Sequence, residues 1–168
     1  MLIFLVGMPG CGKSTLAKSL AKSLNLTCID LDKEIVKAEG RSIESIFETE
    51  GETGFRLIEK DIVDKFSKAQ NSIISTGGGA PCFFDNMDKM NQAGITIFID
   101  VPVEELAKRI SGQDPNRPMV KGKTSDELIS FLNQKIKERK PFYSKAQIQL
   151  GGSNIKAEEI LNKLQLKP

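Results

Sequence analysis

The sequence predicts an α/β protein of three layers, a parallel β-sheet flanked by helices on both faces. Three observations carry that expectation. Short runs rich in Ile, Val and Leu alternate with longer stretches whose apolar residues recur at helical spacing. Strands separated by helices are joined by crossovers, which lay them side by side in parallel. The first run, Leu2-Ile-Phe-Leu-Val6, is apolar at every position, as a strand buried on both faces should be.

Gly7 halts that strand and begins Gly7-Met-Pro-Gly10-Cys11-Gly12-Lys13-Ser14-Thr15. This is the Gly-x-x-x-x-Gly-Lys-Ser phosphate-binding loop between a strand and a helix (13–24), the context the motif requires. Glycines let successive backbone N–H groups curl around phosphate oxygens. Lys13 is a mobile point charge for the β- and γ-phosphates, and Ser14 can offer its hydroxyl to Mg²⁺. Gly10, Cys11, Gly12, Lys13, Ser14 and Thr15 are therefore the expected nucleotide-binding residues, with a favourable helix dipole behind them.

The second strand, 27–30, runs into Asp30-Leu31-Asp32. Ligands of open α/β sheets lie beyond the carboxyl ends of the strands, so both aspartates should face the loop. In an extended segment residues 30 and 32 share a side. One carboxylate can hold hydrated Mg²⁺ while the other accepts a proton from a substrate hydroxyl, or Asp32 simply caps the next helix. Helices are expected at 31–39, 42–50 and 52–68. Arg56 stands three residues before Glu59, one turn away, so Glu59 could hold its fork.

A third strand, 72–75, leads into Thr76-Gly77-Gly78-Gly79, where a ligand could touch the main chain. Helix 85–93, strand 95–100 and helix 103–110 come next. Residues 111–124 carry two glycines and two prolines without apolar periodicity. They read as a disordered insertion or as a functional lid carrying Arg117. Helix 125–140 with Arg139, strand 146–150 and helix 157–166 complete the chain.

Composition narrows the chemistry. The chain has 168 residues, room for a single domain, with 39% hydrophobic and 27% charged residues. A net charge of +2 is too balanced to advertise nucleic acid or an anionic membrane, so an anionic partner must be held locally. The absence of histidine excludes serine–histidine hydrolases, histidine kinases and most zinc enzymes. Cys11, Cys28 and Cys82 are odd in number and widely spaced, which suggests free thiols in a reducing cytoplasm. No run is long enough for a secretory or membrane segment. Among 24 basic residues only Arg41, Arg56, Arg109, Arg117 and Arg139 are arginines. A guanidinium fork grips carboxylate or phosphate with two parallel bonds, which an ammonium cannot copy. A guanine-reading Asn-Lys-x-Asp is missing, so the pattern points to a small-molecule kinase.

Gly7–Thr15, Asp30-Leu-Asp32, Gly40-Arg-Ser-Ile43, Ile46-Phe47, Gly51-Glu-x-x-Phe-Arg56-x-x-Glu59, Gly77-Gly-Gly79, Arg117-Pro118 and Arg139-x-Pro-x-Tyr143 fall in the order and spacing of shikimate kinase. The sequence resembles that family over nearly its whole length. The resemblance implies the nucleoside-monophosphate-kinase-like P-loop fold, a five-stranded parallel sheet of order 2-3-1-4-5 with a mobile lid. It implies ATP-dependent phosphorylation of the shikimate 3-hydroxyl, a step toward chorismate and the aromatic amino acids.

Carried over by motif, Lys13, Asp32 and Arg117 are the expected catalytic residues, and Asp32, Arg56, Gly78, Gly79 and Arg139 the expected shikimate contacts. Ser14 would bind Mg²⁺ directly and Asp30 through water. Arg109 and Arg117 join the loop around ATP, with Gly151–Asn154 near the adenine. Ile43, Phe47 and Phe55 resemble the apolar wall against the shikimate ring. The substrate region is expected at about 31–62 and the lid at about 111–124. A cytoplasmic monomer, with ATP and shikimate as its partners and neither nucleic acid nor membrane, completes the expectation.

Overall fold

Strand β1 (Leu2–Val6) is buried at all five positions, and the sheet is built outward from it. The computed structural model describes residues 1–113 and 122–165. Around β1 lie β2 (Thr27–Asp30), β3 (Ser72–Ser75), β4 (Ile95–Asp100) and β5 (Ile148–Gly151), in the order β2-β3-β1-β4-β5. Every pairing is parallel. Ser75 is the register partner of both Leu5 and Asp30. The carboxyl ends of the three strands on that side therefore finish in one row.

Helices α1 (Lys13–Leu24), α2 (Leu31–Glu39), α3 (Ile43–Phe66), α4 (Asn86–Ala93), α5 (Val103–Gln113), α6 (Ser125–Tyr143) and α7 (Ala157–Gln165) connect and cover the strands. Leu16, Ala17 and Leu20 of α1, Leu106 and Ile110 of α5, and Leu128 and Leu132 of α6 turn inward to one apolar core. Those spacings of three and four residues are the helical stripe that faces a sheet.

The structure departs from the sequence expectation at several element ends. The helices expected at 42–50 and 52–68 lie within the span of α3, as two helical halves separated at Gly51, whose φ 68° and ψ −174° are not helical. A residue with a Cβ is disfavoured at that φ, so glycine makes the break where the sequence places it. Helix α6 passes through Pro141 to Tyr143 instead of stopping at 140. Its start is fixed by a reciprocal Thr124–Glu127 capping box. Strand β5 begins at Ile148, because Ala146 N–H still donates to Tyr143 O across a turn. Asp32 lies in the first turn of α2, so it is helical rather than extended. Helix α5 runs to Gln113, into the span expected to be a lid. The rest of that span up to 121, Arg117 included, lies outside the described residues.

Candidate active site

The loop after β1 bends through left-handed glycines: Gly10 has φ 80° and Gly12 φ 95°. A Cβ on Gly10 would also stand 2.8 Å from Ile110 Cγ1, so this turn needs glycine twice over. Lys13 is the first residue of α1 and is 7% exposed. Its ammonium donates to Gly7 O at 2.8 Å and Met8 O at 2.9 Å, which holds it inside the curl of the loop.

Beside it the row of strand ends gathers oxygens. Ser14 Oγ donates to Asp30 Oδ2 at 3.0 Å and lies 3.2 Å from Ser75 Oγ. Asp30 also caps α2, accepting from Lys33 N–H at 3.4 Å. The capping role open to Asp32 thus falls to Asp30. Sequence reasoning missed Ser75. It ends the third strand at the same sheet edge as Asp30, which was the available signal.

These donors fit Mg²⁺. The cation takes hard oxygens and is commonly held by one or two carboxylates plus substrate phosphates. Ser14, Asp30 and Ser75 are all hard donors next to a phosphate loop. Among the described residues no cluster of three His, Cys, Asp or Glu side chains could hold a metal unaided. A cation shared with a nucleotide is the arrangement this donor set suits.

Asp32 stands further along the same cleft. Burial raises its carboxyl above the ordinary range and neighbouring Asp30 adds to the rise, while Lys13 and Arg56 oppose it. Glu59, 1% exposed, is likewise raised by burial, against the pull of Arg56. Both carboxylates face Gly77, where a Cβ would meet Asp32 Oδ1 at 2.8 Å and Glu59 Oε1 at 3.1 Å.

The triple glycine then receives the two arginines. A Cβ on Gly79 would stand 2.5 Å from Arg56 Nη2, and one on Gly78 would stand 3.1 Å from Arg139 Nη1. Both guanidinium groups therefore approach main chain that only glycine leaves open. Arg56 Nη1 donates to Glu59 Oε2 at 2.7 Å, and Nη2 reaches Glu52 Oε1 at 3.4 Å. Arg139 Nη1 and Tyr143 Oη both approach Met8 Sδ, and Tyr143 Oη donates to Gly78 O. Burial pushes the Tyr143 phenol well above its usual range, so it remains a donor. The apolar wall is represented by Phe47 and Phe55, stacked with ring centroids 4.5 Å apart, and by half-buried Ile43.

At the other end Arg109 donates from Nε to Glu105 Oε1 at 2.7 Å and from Nη1 to Cys11 O at 3.4 Å. A third bond goes to Ser153 O. The loop, Asp30, Asp32, Ser75 to Gly78, Arg109, Asn154 and Ile155 line one cleft of about 590 Å³. Gly10 to Thr15, Asp30 and Arg109 border it as expected, and of Gly151–Asn154 only Asn154 does. Arg56, Gly79 and Arg139 adjoin it through Gly78, and Arg117 lies outside the described residues. Leu16 and Ile155 line it without having been anticipated.

Comparison with known proteins gives a consistent answer. Residues 9–167 match the family model described as shikimate kinase. A shikimate kinase of Parabacteroides distasonis is 43% identical over 156 residues, 93% of this chain and 90% of the relative. The crystal structure of shikimate kinase from Bacteroides thetaiotaomicron superposes with a TM-score of 0.91 at 38% identity, covering 98% of this chain and 96% of that one. The Acinetobacter baumannii shikimate kinase in complex with shikimate gives a TM-score of 0.84 at 32% identity, over 98% and 90%.

Proposed function

The chain belongs to the shikimate kinase family, and from that premise we propose a division of labour for its residues in ATP-dependent phosphorylation of the shikimate 3-hydroxyl. The observation that carries the proposal is the convergence of Arg56 and Arg139 on Gly78 and Gly79, at the end of the phosphate-loop cleft where Asp32 stands.

ATP is seated by the backbone N–H groups of Gly10 to Thr15, with Arg109 and Asn154 at its adenine end. Lys13 exchanges its carbonyl partners for β- and γ-phosphate oxygens, a short move for a flexible ammonium. When bound, Mg²⁺ would be held by Ser14 directly and by Asp30 through water, and would supply neutralisation of phosphate charge.

Arg56 and Arg139 grip the shikimate carboxylate, while the N–H groups of Gly78 and Gly79 support the ring from one side. Phe47, Phe55 and Ile43 supply the apolar side. This grip leaves the alcohols toward Asp32, which orients the 3-hydroxyl and accepts its proton as the oxygen attacks the γ-phosphorus. A raised carboxyl is a better proton acceptor than an ordinary one, which suits a site without histidine. Arg117 is assigned to the transferring phosphoryl by its motif alone. The chain acts as one domain and as a monomer, with the acid-binding region at about 31–62; most of the lid expected at about 111–124 lies outside the described residues. No helix among the described residues is long and apolar enough to cross a membrane. Free Cys11, Cys28 and Cys82 suit a reducing cytoplasm.

The test is a coupled assay of ADP release in the presence of Mg²⁺. Shikimate-dependent release is expected. A rate equal with and without shikimate overturns the reading.

A further inference from the structure

The ring of Phe83 lies against the guanidinium of Arg56, with Cζ 4.1 Å from the ring centroid. Phe55 is more distant, with Cζ 5.1 Å from its centroid. Arg56 Nε is buried without a hydrogen-bond partner, so its donor is satisfied by no oxygen in the pocket. An aromatic face compensates in part, because it attracts a cation without occupying its in-plane donors.

The chain that carries Phe83 is tightly built. The short 3-10 turn Ala80–Cys82 comes directly after the triple glycine: Ala80 N–H donates to Gly77 O at 3.1 Å and Cys82 N–H to Gly79 O at 2.9 Å. Phe83 is extended, at φ −119° and ψ 148°. The next residue, Phe84, takes φ 52°, an uncommon angle for a bulky side chain. Fully buried Asn86 locks the reversal by donating from Nδ2 to Ala80 O at 2.9 Å. Ring and glycines are thus one rigid piece of chain, placed on two sides of the same fork.

We propose that Phe83 is a positioning residue for acid binding: its ring fixes the plane of the Arg56 guanidinium so that the fork meets a substrate carboxylate at the Gly78–Gly79 backbone. The proposal rests on the acid-binding role of Arg56 in the proposed function. A stack on the face leaves both Nη edges in plane for ion pairs, whereas a guanidinium free to rotate about its side-chain bonds presents that edge only part of the time.

The test compares Phe83→Leu, which keeps apolar bulk and removes the ring face, with Phe83→Tyr, which keeps the face. Phe83→Leu should raise the KM for shikimate by about 3- to 10-fold while kcat, the KM for ATP and Tm stay near wild type. Phe83→Tyr should restore the wild-type KM. In NMR spectra of the wild type, the Arg56 guanidinium signals should be shifted upfield by the ring current, and Phe83→Leu, unlike Phe83→Tyr, should cut this to the smaller contribution of Phe55. Equal KM for the two variants, or unaltered Arg56 signals in Phe83→Leu, overturns the proposal. If the wild type shows no shikimate-dependent turnover, the kinase reading fails by itself, and the NMR comparison still decides whether Phe83 fixes Arg56.

Discussion

Arg56 Nη1 lies 2.7 Å from Glu59 Oε2, one helical turn along α3, and the pair is sealed from solvent with Glu59 at 1% exposure. Breaking a buried pair from one side strips a charge of its close partner, and Arg56 would be left with the more distant, exposed Glu52 at 3.4 Å. Glu59→Ala should therefore lower stability in urea unfolding, by less than the roughly 3–5 kcal/mol of a charge left with no partner. It should also weaken shikimate binding through a misplaced Arg56. Wild-type stability and affinity together would show that Glu59 holds nothing.

Arg56→Lys tests the fork itself. An ammonium keeps the charge and loses the parallel geometry, so apparent shikimate affinity should fall by about 10- to 150-fold. ATP affinity should stay nearly unchanged, because Arg56 does not line the nucleotide cleft. Calorimetric titration of each ligand separates the two. Equal losses would argue against a carboxylate clamp.

Asp32→Asn should lower kcat by about 10²- to 10⁴-fold, the range general acid–base catalysis covers. Its effect on stability should run the other way. A carboxyl raised on folding contributes stability fully present below its unfolded value and lost as pH rises through its folded value. Burial raises Asp32 in this sense, and Glu59 titrates in the same direction. At pH 7 Asp32→Asn should melt at or above the wild-type temperature. It should also flatten part of the decline in Tm as pH rises from the ordinary carboxylate range. A lower Tm at pH 7 would contradict the electrostatic account of the site.

Asp30 serves two roles that one substitution can separate. Asparagine caps helices about as well as aspartate, so Asp30→Asn should leave Tm unchanged. The loss of a carboxylate should raise the Mg²⁺ concentration needed for half-maximal activity, as should Ser14→Ala. Unchanged Mg²⁺ dependence in both variants would remove Ser14 and Asp30 from the metal site.

Much of this architecture is legible in the sequence for identifiable reasons. The apolar runs of β1, β3 and β4 are bounded by glycines or polar residues, so their ends can be read directly. The phosphate loop announces itself because its chemistry demands particular residues at fixed spacing. Gly51 is legible as well, because glycine adopts the non-helical φ 68° and ψ −174° that separate the two halves of α3. Pro141 misleads: it comes so late in α6 that the turn continues to Tyr143. Ser75 and Phe83 are illegible for another reason. A serine ending a strand and a phenylalanine in a loop gain their roles only from strand register and from the turn Ala80–Cys82.

The most direct measurement compares shikimate with its methyl ester as phosphoryl acceptor for the wild-type protein. Two charge-assisted contacts, each contributing about 1.5–3 kcal/mol, depend on the free carboxylate. The account predicts that kcat/KM for the ester falls at least about 100-fold below that of the acid. Equal kcat/KM for acid and ester would contradict it.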